Sequence, residues 1–115
     1  MNYEKSEFSY DIIKDEVLYT LDRNLNKYKL PINQSIAYYM NESEGTFEEN
    51  ELERVLTYVV LGIFIKQYSY NDEQLINKVI SSIKTLESNE YNNLFHDGDK
   101  ELIDNDIKVI KEYLK

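Results

Sequence analysis

Val55-Leu-Thr-Tyr-Val-Val-Leu-Gly-Ile-Phe-Ile65 is the stretch that decides the fold. Its apolar positions recur at helical spacing. Leu52, Val55, Leu56, Val59, Val60 and Ile63 make one face, and Tyr58, Leu61, Phe64, Ile65 and Tyr68 widen it around the cylinder. A helix apolar nearly all round is surrounded by others. The pattern therefore predicts a central helix, third in chain order, from about Phe47 to Gln67. Its apolar run from Tyr58 to Ile65 is eight residues long, far short of the roughly 20 that cross a bilayer. Gly62 inside the run would let a neighbouring helix approach closely.

Working outward, the same period runs through the chain. Ile13, Val17, Leu21, Leu25 and Tyr28 form one stripe of a first helix over Phe8 to about Lys29. Pro31 suits the first turn of a second, where its missing N–H costs nothing. That helix turns Ile32, Ile36, Tyr39 and Met40 inward and is expected to stop near Ser43, broken by Gly45. Thr46-Phe-Glu-Glu49 then reads as a capping box opening the third helix. Asn71 is the expected cap of a fourth helix over about Asp72 to Leu86, with Leu75, Ile76, Val79, Ile80, Ile83 and Leu86 inward. Residues 87 to 98 read as a loop. A fifth helix from near Asp99 buries Leu102, Ile103, Ile107, Ile110 and Leu114. The expectation is an all-α, single-domain antiparallel bundle of about five helices spanning 1–115.

Composition narrows the function. The chain of 115 residues has 42% hydrophobic residues, enough to fold rather than stay disordered. It has no cysteine, so no disulfide framework, thiol nucleophile or thiolate metal site is available. The opening Met-Asn-Tyr-Glu-Lys-Ser-Glu carries neither the basic nor the apolar region of a signal peptide, so a cytoplasmic location is expected. Asn, Ile, Lys and Tyr are abundant, and their AT-rich codons point to an AT-rich bacterial genome. Asp and Glu number 22 against 13 Lys and Arg, a net charge of −9. That balance disfavours nucleic-acid and anionic-membrane binding, which reward clustered bases.

The acids fall in two blocks. Between Leu30 and Ile65 six acids accompany Arg54 alone, and between Glu87 and Asp106 seven accompany Lys100 alone. Antiparallel packing of consecutive helices would bring both blocks to one end and Lys66, Lys111 and Lys115 to the other. Acids at helix starts are explained by the helix dipole. Glu42, Glu44, Glu87 and Glu90 are not, because they fall at or beyond the expected ends of the second and fourth helices. Lys84 is the only base expected near them. Glu42, Glu44, Glu48, Glu49, Glu87, Glu90 and Asp97 are thus candidate partner-binding charges, with Tyr38 and Tyr91 as aromatic anchors beside them.

No catalytic constellation competes with this reading. His96 is the only histidine, and one imidazole without a thiol or a second histidine is a poor metal site. Phe95-His-Asp-Gly-Asp99 is too short for a calcium loop and reads as a turn and cap. No Glu-x-x-His pair for a di-iron bundle occurs, and no phosphate-cradling glycine loop. Neither cofactor nor metal is expected, and the chain is read as a non-enzyme.

The succession of patterns resembles small all-helical immunity proteins, specifically immunity family three of bacterial polymorphic-toxin systems. An opening amphipathic helix is followed by Pro31-Ile-Asn-Gln-Ser-Ile-Ala-Tyr-Tyr39, by the acid-rich Glu48-to-Glu53 entry, by the Val55–Ile65 helix and by an acidic last helix. The resemblance implies an inhibitor that binds and blocks a cognate toxin, often a basic nuclease whose channel the carboxylates would occupy. The alternative is a phage- or plasmid-type regulatory or structural protein acting through another protein or as a homodimer.

Overall fold

Eleven consecutive residues, Val55 to Ile65, are buried, and they lie at the centre of an all-α bundle. The computed structural model describes residues 10–88, 95 and 97–114 (for 46, 47, 49 and 97 the backbone only). Among them are α1 (Tyr10–Asn26), α2 (Ile32–Glu49), α3 (Glu51–Gln67), α4 (Glu73–Leu86) and α5 (Asp97–Tyr113), and no strand. Helix α3 packs against all four others. Each fully buried Val, Leu, Ile or Phe stabilises by about 1.5–3 kcal/mol, so this segment dominates the core.

The start of α3 corrects the sequence reading. Helix α2 does not stop at Ser43. It runs through Gly45 to Glu49, so the residues read as a capping box, Thr46 to Glu49, are its last turn. Glycine inside a helix costs about 1 kcal/mol relative to alanine, which a continuing helix can bear. Asn50 makes the break instead. Its backbone is extended (φ −139°, ψ 94°), and its Oδ1 accepts the Glu53 N–H at 3.0 Å, satisfying an orphan amide of the new helix. Helix α3 ends in a Schellman motif: Ser69 adopts φ 51°, the Tyr70 N–H donates to Ile65 O at 2.9 Å, and the Ser69 N–H donates to Lys66 O at 3.2 Å.

The same correction applies to α4, whose cap is Asp72 rather than Asn71. Asp72 Oδ1 accepts the Leu75 N–H at 3.1 Å. Helix α5 begins at Asp97, two residues ahead of the expected Asp99.

Buried polar contacts pin α1 against α2. Ser35 Oγ donates to Leu21 O at 3.1 Å, and Asn24 Nδ2 donates to Ser35 O at 3.3 Å. A five-residue link (68–72) returns α4 along α3. Gly62 is the contact point there, since a Cβ on it would lie 2.8 Å from Ile110 Cδ1 and 3.0 Å from Val79 Cγ1. Thus α2 and α4 run in the same direction on α3, but they are not a closely packed pair.

Helix α5 packs across α3 and α1. The Tyr10 hydroxyl donates to Asp106 Oδ2 at 2.7 Å, and Lys14 Nζ lies 2.9 Å from the same oxygen. From its middle to its C-terminal end α5 nears α4: Asp104, Ile107 and Lys108 line a recess with Glu87, and Leu114 sits by Ile80 and Ile83. Lys111 Nζ therefore meets Glu87 Oε2 at 2.7 Å. Helix parity places Lys111 at the opposite end and leaves Lys84 as the only base near Glu87; the structure corrects this by bringing Lys111 to Glu87. The ten residues between α4 and α5 are long enough to let α5 start away from the end of α4.

Candidate functional site

The second half of α2 is a helical segment that is open to solvent and acidic. From Asn41 to Glu49 no described side chain is buried, and Asn41, Glu42, Glu44, Gly45 and Glu48 are exposed. No base occupies its last turn. Acids at a helix C-terminus oppose the macrodipole by some tenths of a kcal/mol each. Longer than its sequence pattern predicts, α2 shifts this argument from Glu42 and Glu44, which sit within the helix, to Glu48 in the last turn.

Around the one-residue corner at Asn50 the acids continue. Glu51 and Glu53 lie in the first turn of α3, where they are favourable. Arg54 answers Glu51 across 3.3 Å, an exposed pair worth at most about 1 kcal/mol. Burial, and then the charge of Glu16 on α1, push the Glu53 carboxyl above its ordinary range. Glu16, Glu51 and Glu53 were not among the candidate residues. Glu16 was legible only through the α1–α3 crossing, which sequence spacing does not give.

Beside this helix end lies an open groove with α2 and α4 as walls and α3 as floor. Its upper part is a recess of about 220 Å³ with Ile36, Met40, Tyr58 and Leu75 as apolar lining and Asn33, Asp72 and Gln74 at one end. It continues past Met40, Tyr58 and Lys78 to Glu44, Glu48 and Arg54. The α2 wall is acidic at that far end, whereas Lys78 stands on the α4 wall.

Five of the nine candidate residues have described side chains: Tyr38, Glu42, Glu44, Glu48 and Glu87. Glu44 and Glu48 share the groove. Tyr38, half-exposed, sits on the other flank of α2, near Tyr28 and Arg23 of the α1 end, and its phenol is held above its usual range chiefly by hydrogen bonding to Glu42. Glu87 is paired with Lys111, so it is not an unanswered acid. Glu90 and Tyr91 lie outside the described residues, as does His96. Glu49 and Asp97 fall in helices, at the end of α2 and the start of α5. Among the described residues, no three His, Cys, Asp or Glu side chains converge as metal donors, and no helix is long and apolar enough to cross a membrane.

The fold and this surface define an all-α bundle with an acidic helix end beside an open groove. Comparison with protein-family models, with curated proteins and with solved structures finds no match to the chain.

Proposed function

We propose that this chain is a non-enzymatic, immunity-type inhibitor that binds a basic protein, a nuclease-type toxin, and blocks it. One observation carries the reading: the second half of α2 is helical, buries no described side chain and presents Glu42, Glu44 and Glu48 to solvent. Asn41, Glu42, Glu44 and Glu48 bury little, so these positions are free to serve a partner. Acidic carboxylates steer a basic protein to rapid encounter. On a nuclease they would stand where substrate phosphates bind. Tyr38 beside Glu42 adds contact area at low entropic cost. The proposed site is centred on α2, with Glu16, Glu51 and Glu53 around it and Glu87, paired on α5, outside it.

Immobilised chain should retain a basic host protein whose association slows as ionic strength rises. The double variant Glu44→Lys/Glu48→Lys should lose it, while Glu87→Lys should retain it. Equal retention by all three chains would remove α2 from the site.

A second reading, self-association, has its own observation. Ile12 and Tyr19 are 65% and 68% exposed and lie one heptad apart on one face of α1, with Asp15 and Glu16 between them. Sedimentation of Ile12→Lys/Tyr19→Lys beside the wild type tests it: a dimer lost on substitution supports it, and a monomer at all concentrations removes it.

A further inference from the structure

We infer that the groove between α2 and α4 receives an amphipathic, basic α-helix of the partner. The inference rests on the preceding reading, because it names the partner element that the acidic end of α2 addresses. Three observations carry it. First, α2 and α4 both rest on α3 without packing closely on each other, and the space between them is lined by Tyr58 on its floor and by Ile36, Met40 and Leu75 on its walls. Helix axes pack about 8–10 Å apart, so a further helix laid over Tyr58 would touch α2, α3 and α4 together. Second, the groove follows α2 from Asn33 to Glu48, about 22 Å at 1.5 Å per residue, or roughly four helical turns. Exposed Ala37 on the α2 wall leaves room for close approach.

Third, the charges choose the occupant. Glu44 and Glu48 flank the far end on the α2 side, facing Arg54, which is answered by Glu51, and Lys78, so bases on the α2 side of an amphipathic guest would be matched there. A chain of net charge −9 disfavours a second copy of itself in the same place. Charge also sets polarity. Helices α2 and α4 run in the same direction, so a guest antiparallel to both has its dipole aligned favourably with each wall. Its N-terminus then lies by Glu48 and Arg54, and its C-terminus by Asp72 at the N-cap of α4.

The probe is a synthetic Leu/Lys peptide of about sixteen residues, about 24 Å of helix, with leucines at i, i+3, i+4 and i+7. A Leu/Glu peptide of the same pattern is the control. Methyl NMR should show the Leu/Lys peptide shifting Ile36, Met40 and Leu75, with Ile12, Leu102 and Val109 unmoved and the Leu/Glu peptide inert. A spin label on the peptide N-terminus should broaden signals at Glu48 and Arg54, not at Asp72 and Gln74. Ala37→Trp fills the groove without changing charge and should weaken binding at least about tenfold.

Shifts confined to other faces, or undiminished affinity for Ala37→Trp, would overturn the groove. Groove shifts that grow with protein concentration alone, together with a sedimenting dimer, would assign it to a second copy and overturn the basic helix. If Ala37→Trp still retains the basic host protein that Glu44→Lys/Glu48→Lys loses, the groove fails while the acidic site stands.

Discussion

Residues 55–65 of α3 and 41–49 of α2 are both helical and neighbours in the bundle, yet one is wholly buried and the other buries no described side chain. Each helix contains a glycine. Gly62 lies where Ile110 and Val79 leave no space for a Cβ, whereas a Cβ on Gly45 would meet nothing within 4 Å. The same residue type thus marks close packing in one helix and open surface in the other. What separates the two segments is composition, apolar and β-branched in 55–65 and acidic in 41–49, and with it burial. Buried apolar residues are concentrated in α3, whereas Asn41, Glu42, Glu44, Gly45 and Glu48 of α2 are open to solvent.

The largest effect should come from the buried segment. Phe64 is fully buried, and Phe64→Ala should destabilise by about 3–5 kcal/mol, read from the denaturant midpoint. Gly62→Val should come next. It crowds Ile110 and Val79 and should cost about 1–3 kcal/mol through overpacking; a neutral result would mean that α5 yields at this contact. Gly45→Ala should have the opposite sign, stabilising by up to about 1 kcal/mol. Destabilisation there would show that the end of α2 is not the open helix on which the comparison depends.

The smallest effect is pH-dependent. The Glu53 carboxyl is raised by burial and by Glu16. A raised carboxyl in the folded state means that the unfolded chain loses its proton first as pH rises. Stability is therefore greater below the carboxylate range of about 4 to 5 and falls as pH rises through it. Glu53→Gln should raise the melting temperature slightly at neutral pH, with the gain shrinking as pH falls through that range. A gain independent of pH would assign it to something other than charge.

The central helix was legible because eleven consecutive residues with one period admit a single arrangement. The end of α2 was not, because Gly45 and Asn50 are both plausible breaks. The choice turned on a cap hydrogen bond from the Glu53 N–H to Asn50. Glu87 and Lys111 pair across 24 residues, beyond the reach of helical spacing, and the long link before α5 hid that contact. The candidate acids Glu42, Glu44 and Glu48 were named from sequence and are exposed. Their division between two flanks of α2, and the groove itself, depend on lateral spacing between helices, which periodicity does not encode.

The central claim is that the end of α2 serves binding and not folding. Glu44→Lys/Glu48→Lys tests it most directly when stability and binding are measured on the same protein. Lysines toward a helix C-terminus favour the macrodipole, so the melting temperature should hold or rise, while the salt-dependent association with the basic partner should be lost. A fall in melting temperature with association intact would contradict the account.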